Sequence, residues 1–288
     1  MALASMSEIF ERMVRNGQEF WEVVLADDMD ERQVSREASM AKMLTTWQAM
    51  QDAADSYTGR KRSVSGLVGG DGMKMRQYTF RGCAMTGGYV SEVIAEALSM
   101  AESNACMRRI VAAPTAGACG VLPAVLLPLC KYEELTQHQL LEALYVAAGI
   151  GSVIAYKASI AGASGGCQAE IGTASAMAAG ALAQLRGGGP EQTANALAMA
   201  LKNLMGLICD PVAGLVEVPC VKRNVIGAVN AVSCADMALA GITSRIPADE
   251  VIDCMGIVGE RLPREFRETA RGGLAATPTG RAAWKQLK

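Results

Sequence analysis

Histidine is nearly absent: His138 is the only one among 288 residues. That excludes zinc sites built on several histidines and the two-histidine facial triad of non-haem iron enzymes. A Cys–His nucleophile pair would have to rest on His138, which stands at a polar helix start and reads as a surface residue. The G-x-S-x-G elbow and the P-loop are missing too. "GGDG" at 69–72 lacks the strand-then-helix setting of a dinucleotide fingerprint. Aromatic residues supply 5% of a composition that is 51% hydrophobic, the rest of the apolar content being Ala, Val, Leu, Ile and 17 Met. Small side chains let helices approach closely. No regular strand–helix alternation is visible, so the expected fold is all-α rather than a doubly wound sheet. A formal charge of −2 leaves no basic field for nucleic acid.

Long apolar runs are also scarce. The best, Leu140 to Tyr156, carries Glu142 and falls short of the ~20 apolar residues of a span, so it reads as a buried core helix and no membrane partner is expected. "MALASMSEIFERMVRNG" places charges where a secretory signal has its apolar centre. Nine cysteines, an odd number scattered through a long chain, do not make a disulfide framework. Reduced thiols in a cytoplasm are the expectation.

What is present is helical periodicity. Ile9, Met13, Phe20, Val23 and Val24 suit one apolar face, and residues 1–62 read as an N-terminal helical hairpin. The glycines of "GRKRSVSGLVGGDGMKM" then break the pattern with a loop. Residues 63–288 read as a compact helical catalytic domain with glycine-rich loops. Thr136-x-x-Gln139 resembles a capping box, and Pro190 and Pro247 stand at or just before helix starts. The tail "RGGLAATPTGRAAWKQLK" reads as a surface segment.

The cysteines divide by setting. Cys106, Cys130, Cys234 and Cys254 lie in apolar helical runs and read as small buried hydrophobes; Cys83, near a turn, reads as structural. Cys167 in "ASGGCQAE", Cys209 in "GLICDPVAG" and Cys220 in "VEVPCVKRN" each sit where a loop meets a helix. Cys167 and Cys220 fall at expected helix N-termini, where the dipole stabilises a thiolate, and Lys222 and Arg223 add positive potential. Three such thiolates suit a metal or an iron–sulfur cluster, although three loop cysteines can equally arise by accident. Cys119 in "PTAGACGVLP" is a fourth candidate. A four-iron cluster on three cysteines leaves one iron open to a substrate oxygen, as an open zinc site does; four ligands would suit electron transfer.

"VAAPTAGACGVLPAVLL", "KASIAGASGGCQAEIGTASAMAAGAL", "GLICDPVAGLVEVPCVKRN" and "RETARGGLAATPTG" resemble the alpha chain of iron–sulfur-dependent L-serine dehydratases (L-serine ammonia-lyases), over about Ser65 to Gly280. The resemblance implies an enzyme of amino-acid degradation converting L-serine to pyruvate and ammonia. It implies a [4Fe–4S] cluster on Cys167, Cys209 and Cys220, with Cys119 second because its motif is not expected to supply a ligand. Single-chain relatives place a beta-type domain first, so a separate beta subunit in a hetero-oligomer is expected. That beta domain is also the expected source of the general base. Some single-chain relatives cap the open iron with a terminal cysteine; the ending "AAWKQLK" offers none.

Within the chain, Lys157 and Glu170 are the candidates for proton transfer or charge. Ser65, Gly69, Gly70, Thr115 and Gly117 are expected walls for the substrate carboxylate, since bare amides bind anions. Asp210 is placed to orient a ligand from behind. Pyridoxal phosphate is not expected: the alternating fold is missing and Lys157 is the only lysine in a suggestive setting. A cluster-dependent lyase of L-cysteine or L-threonine, or a non-catalytic iron–sulfur subunit, are the competing readings.

Overall fold

The computed structural model describes residues 3–287. Among the described residues there are thirteen α-helices and no strand. The fold is all-α, as the small-residue composition requires. The one pairing of extended backbone among them is an isolated parallel bridge between Cys209 and Arg267.

The amino-terminal segment forms three helices rather than a hairpin: α1 (Met6–Asn16), α2 (Phe20–Arg32) and α3 (Arg36–Asp55). The apolar spacing that suggested one face runs through a break at Gly17. This residue adopts φ 64°, which glycine takes without Cβ strain, and its N–H returns to the Met13 carbonyl. Ile9 is therefore buried from one helix and Phe20, Val23 and Val24 from the next. Their apolar side chains belong to the same continuous core as the rest of the molecule.

That core centres on α9 (Thr173–Leu185), in which every residue from Thr173 to Ala183 is buried. Its sequence, TASAMAAGALAQL, is almost entirely small. Helices α6 (Val121–Tyr132), α7 (Gln137–Lys157), α10 (Pro190–Asn203) and α11 (Cys220–Leu239) pack around it. The Thr136–Gln139 capping box forms as expected, with the Gln139 N–H donating to Thr136 Oγ1 at 3.3 Å and the Thr136 N–H to Gln139 Oε1 at 2.9 Å. Helix α7 is long and apolar enough to cross a membrane by length and composition, and 67% of its most apolar window is buried inside the bundle.

Close approach explains Gly149 in α7. A Cβ there would overlap Val24 Cγ2 and stand 3.1 Å from Phe20 Cε1. Val24 is β-branched and stiff at χ1, so it cannot swing aside. Gly149→Ala is expected to destabilise the fold by about 1–3 kcal/mol despite alanine's better helix propensity. Thermal unfolding measures this, and an unchanged or raised midpoint would contradict the tight α2–α7 contact.

Two further readings are corrected. The glycine stretch at 66–72 is not all loop: α4 (Asp71–Phe80) starts inside it and packs on α5 (Gly87–Ala105). The tail does lie mostly at the surface, and within it Thr277 caps α13 (Pro278–Gln286), with Gly280 and Ala283 buried. Cys254, in α12 (Ala248–Arg261), is exposed rather than a core hydrophobe.

Candidate active site

Cys167, Cys209 and Cys220 arrive from three separate segments. Cys167 follows the short α8 turn (Gly162–Gly165) and directly precedes a π-helical turn, Gln168–Gly172, that leads into α9. Single π turns interrupt α-helices mostly at functional positions. Gln168 anchors this turn: its Nε2 donates to the Met255 carbonyl at 3.1 Å and its Oε1 accepts from the Gly206 N–H at 2.8 Å. Cys220 is the first residue of α11. Cys209 lies in the connection between α10 and α11. Its N–H donates to the Phe266 carbonyl and its carbonyl accepts from Glu268, both at 2.8 Å, so the returning tail holds it from outside.

The three thiols feel one another. Burial pushes Cys167 and Cys220 up to about 12, and Cys209 is raised by burial and then by Cys167, Glu170 and Cys220. Cys220 is raised next by Cys167. Among the described residues, no three His, Cys, Asp or Glu side chains are grouped so as to hold a metal ion. A polynuclear core makes a different demand, each thiolate binding its own corner. The donor set suits one: two buried sulfurs and a half-buried third, each otherwise costly to ionise, which a soft cationic core would draw into thiolate form. Gly162 keeps the space beside Cys209 bare; a Cβ there would stand 3.1 Å from Cys209 Sγ and 2.8 Å from Glu170 Oε2.

Arg223 ties two of these segments together. It lies one helical turn after Cys220, its Nη1 donates to the Ile208 carbonyl at 2.7 Å, and its Nη2 donates to Asp210 Oδ1 at 2.8 Å. Burial raises the Cys167 thiol most, and the charge of Arg223 partly opposes that rise. Asp210 is 2% exposed, and its second oxygen accepts from the Leu274 N–H at 2.7 Å. Asn224 joins the Cys220 turn to the "PTAG" loop: Nδ2 donates to the Gly117 and Cys220 carbonyls at 2.8 and 3.0 Å, while Oδ1 accepts from the Gly120 N–H at 2.9 Å.

Glu170 faces this loop. Thr115 Oγ1 donates to Glu170 Oε1 at 2.7 Å, and a Cβ at Gly117 would stand 3.1 Å from the same oxygen. Burial raises the Glu170 carboxyl, the Thr115 hydrogen bond lowers it, and the charge of Glu268 raises it further. Thr115, Gly117 and Glu170 are thus gathered next to Cys209.

The other expected carboxylate wall is occupied by the chain itself. Glu102, 1% exposed, accepts from the Gly70 N–H at 3.0 Å and the Asp71 N–H at 2.8 Å, and Tyr57 donates its hydroxyl to the same carboxylate. The anion that the amides at the start of α4 attract is an internal one. Ser65 donates its hydroxyl to Glu217, as Ser63 does at 2.6 Å, and the Ser65 oxygen accepts from the Leu67 N–H at 3.1 Å. Gly69, with φ 136°, accepts from Arg62 through its carbonyl. Ser65, Gly69 and Gly70 therefore form a self-bonded loop, tied through Glu217 to the turn before Cys220.

The family model described as "Serine dehydratase alpha chain" matches residues 15–275. The chain belongs to the serine dehydratase alpha chain family. It is 47% identical over 266 residues to a probable L-serine dehydratase alpha chain of Bacillus subtilis (strain 168), covering 92% of this chain and 89% of that one. It is 37% identical over 279 residues to the L-serine dehydratase alpha chain of Peptoniphilus asaccharolyticus, covering 96% of each. Against L-serine dehydratase 2 of Escherichia coli (strain K12), identity is 48% over 181 residues, 62% of this chain but 40% of that longer one.

The remaining candidates of this serine dehydratase alpha-chain relative lie elsewhere. Cys119 is fully buried, donates to the Met100 carbonyl at 3.8 Å, and is pushed up to about 12 by burial alone. Lys157 pairs with Asp253 of α12 at 3.1 Å. His138 is exposed, edge-on to Trp21 and 3.3 Å from Glu142. Sequence reasoning treated Arg223 only as background positive potential and missed Asn224 and Glu217. The i+3 and i+4 spacing of Arg223 and Asn224 from Cys220 was the available signal, since it puts them one turn above the thiol.

Proposed function

We propose that this chain is the alpha subunit of an L-serine ammonia-lyase that removes water from L-serine to give aminoacrylate, which hydrolyses to pyruvate and ammonia. The observation that carries this reading is that Cys167, Cys209 and Cys220, from three segments, are near enough for their thiols to raise one another beyond the effect of burial. The family and the names of the relatives support the substrate. The words "alpha chain" in those names support a separate beta subunit.

Cys167, Cys209 and Cys220 would hold a [4Fe–4S] cluster. Bound there with one iron free of protein sulfur, it would supply Lewis-acid polarisation of the leaving hydroxyl. The chain's own groups do the rest. Burial of Cys167 and Cys209 limits the access of bulk water to two of the three sulfurs. Thr115 fixes the Glu170 carboxyl in direction, and burial raises it above its ordinary value, so it holds a proton more readily than a free carboxyl does. The missing Cβ atoms of Gly117 and Gly162 let both backbones pack closely against that carboxyl. Asn224 locks the "PTAG" loop to the Cys220 turn, so that Thr115 and the thiols keep one geometry.

The test is anaerobic reconstitution with ferrous iron and sulfide, with and without the candidate beta chain, followed by pyruvate release from L-serine and by parallel assays on L-threonine and L-cysteine. Iron-dependent pyruvate from L-serine, strongest with the beta chain, is expected. Undiminished serine turnover by protein stripped of iron, or faster turnover of L-threonine or L-cysteine, would overturn the assignment.

A further inference from the structure

Arg223 ties the helix that begins at Cys220 to the backbone on both sides of Cys209. It rises from α11 three residues after Cys220, and bonds the carbonyl before Cys209 and the carboxylate after it. The guanidinium is planar and carries five donors in a fixed fork, so two directed bonds from one group set the two segments at a fixed mutual angle. It is largely enclosed, its side chain 15% exposed and that of Asp210 2%. A buried pair of this kind costs desolvation that its own attraction does not clearly repay, and is better explained by what it positions.

We infer that Arg223 is a positioning residue for the cluster: it fixes the spacing of the Cys209 and Cys220 segments and sets a full positive charge beside Cys209. The inference rests on the cluster reading above. Three thiolates on a [4Fe–4S]²⁺ core leave a net charge of −1, which Arg223 opposes at one corner. Asp210 holds the guanidinium in this direction and passes the constraint to the returning tail through Leu274. Lys222, its neighbour on the same helical turn, points its charge elsewhere, to Asp71 at 2.6 Å.

The experiment compares wild type, Arg223→Gln, Arg223→Lys and Lys222→Gln after anaerobic reconstitution with iron and sulfide. It reads the iron-to-protein ratio, the rate at which cluster absorbance bleaches in air, and the midpoint potential of the cluster. Arg223→Gln is expected to bleach roughly tenfold faster, the scale of one charge-assisted hydrogen bond. Its midpoint potential is expected to fall, because removing a positive charge disfavours the more negative, reduced form; a tenfold effect is about 59 mV for one electron. Arg223→Lys keeps the charge but not the fork, so it should restore most of the potential and little of the bleaching resistance. Lys222→Gln removes the same charge one residue away and should leave both unchanged.

A general loss of fold would not move the potential selectively, and thermal melts of the iron-free variants show whether the fold persists. If Arg223→Gln matches wild type in bleaching and potential, or Lys222→Gln shifts them as much, the role of Arg223 is overturned while the cluster stands. If wild-type protein takes up no iron, the cluster reading itself fails first.

Discussion

Replacing any one of Cys167, Cys209 or Cys220 by serine is expected to abolish iron retention and to lower serine turnover by a factor on the order of 10³ or more, the largest effect in the molecule. A hydroxyl is a hard, weakly acidic donor and does not replace a soft thiolate on iron. Two anchored corners leave the core exposed to loss. The fold itself should survive. Burial of each thiol already keeps it protonated in the iron-free protein, so a serine of similar volume replaces a neutral group with a neutral group. The control is Cys254→Ser, which changes an exposed thiol far along α12 and should leave iron content and turnover unaltered. Iron analysis, visible absorbance and pyruvate release check all four variants. A Cys209→Ser protein that keeps a full complement of iron and its activity would remove Cys209 from the set and reopen Cys119 as the third ligand.

The class of fold was legible because it depends on local terms. Alanine-rich runs such as TASAMAAGALAQL have neither the β-branched content of strands nor the bulk to hold helices apart, and the Thr136 box marks its own helix start. The settings of Cys167 and Cys220, at the start of helical segments, were legible because each stands next to glycine or proline. What stayed hidden depends on residues far apart in sequence. Gly66, Gly69, Gly70 and Gly72 look like free anion-binding backbone until Glu102, some thirty residues on, is brought over the start of α4. The tail's tie to the cysteine region stays hidden until the Leu274 N–H meets Asp210, 64 positions away. The break at Gly17 was missed for another reason: the apolar spacing continues smoothly through it, and only the left-handed backbone there shows that two helices share the face.

Those long-range bonds also bear on catalysis. The loop from Ser63 to Asp71 is saturated by internal partners, Glu217 at one end and Glu102 at the other. Arg223, Asp210 and Asn224, which flank Cys209 and Cys220, are likewise bonded to the backbone or to each other. Glu170, which accepts from Thr115 and packs with Cys209 about Gly162, is the carboxyl proposed above for proton transfer.

Glu170→Gln is accordingly the second large effect. The substitution keeps the size of the side chain and its hydrogen bond from Thr115, and removes only the ability to ionise. Turnover is expected to fall by roughly 10²-fold or more, the usual contribution of a positioned proton-transfer group, with iron content unchanged. The pH dependence identifies the cause. Burial, reinforced by the charge of Glu268, raises the Glu170 carboxyl above its ordinary value of 4.5, and Thr115 only partly opposes the shift. Activity that needs the ionised form should therefore rise with pH through a limb lying above 4.5, and Glu170→Gln should lose that limb. Stability follows the opposite sign. Between its unfolded and folded values this group binds more protons folded than unfolded, so its contribution is fully present below 4.5 and is lost as pH rises through the folded value. Denaturant unfolding of the iron-free protein should show that slope in wild type and a flatter one in the variant. A variant that keeps the acidic limb of the rate profile while losing the slope in stability would leave Glu170 a buried structural acid, and the proton would have to be handled by another group.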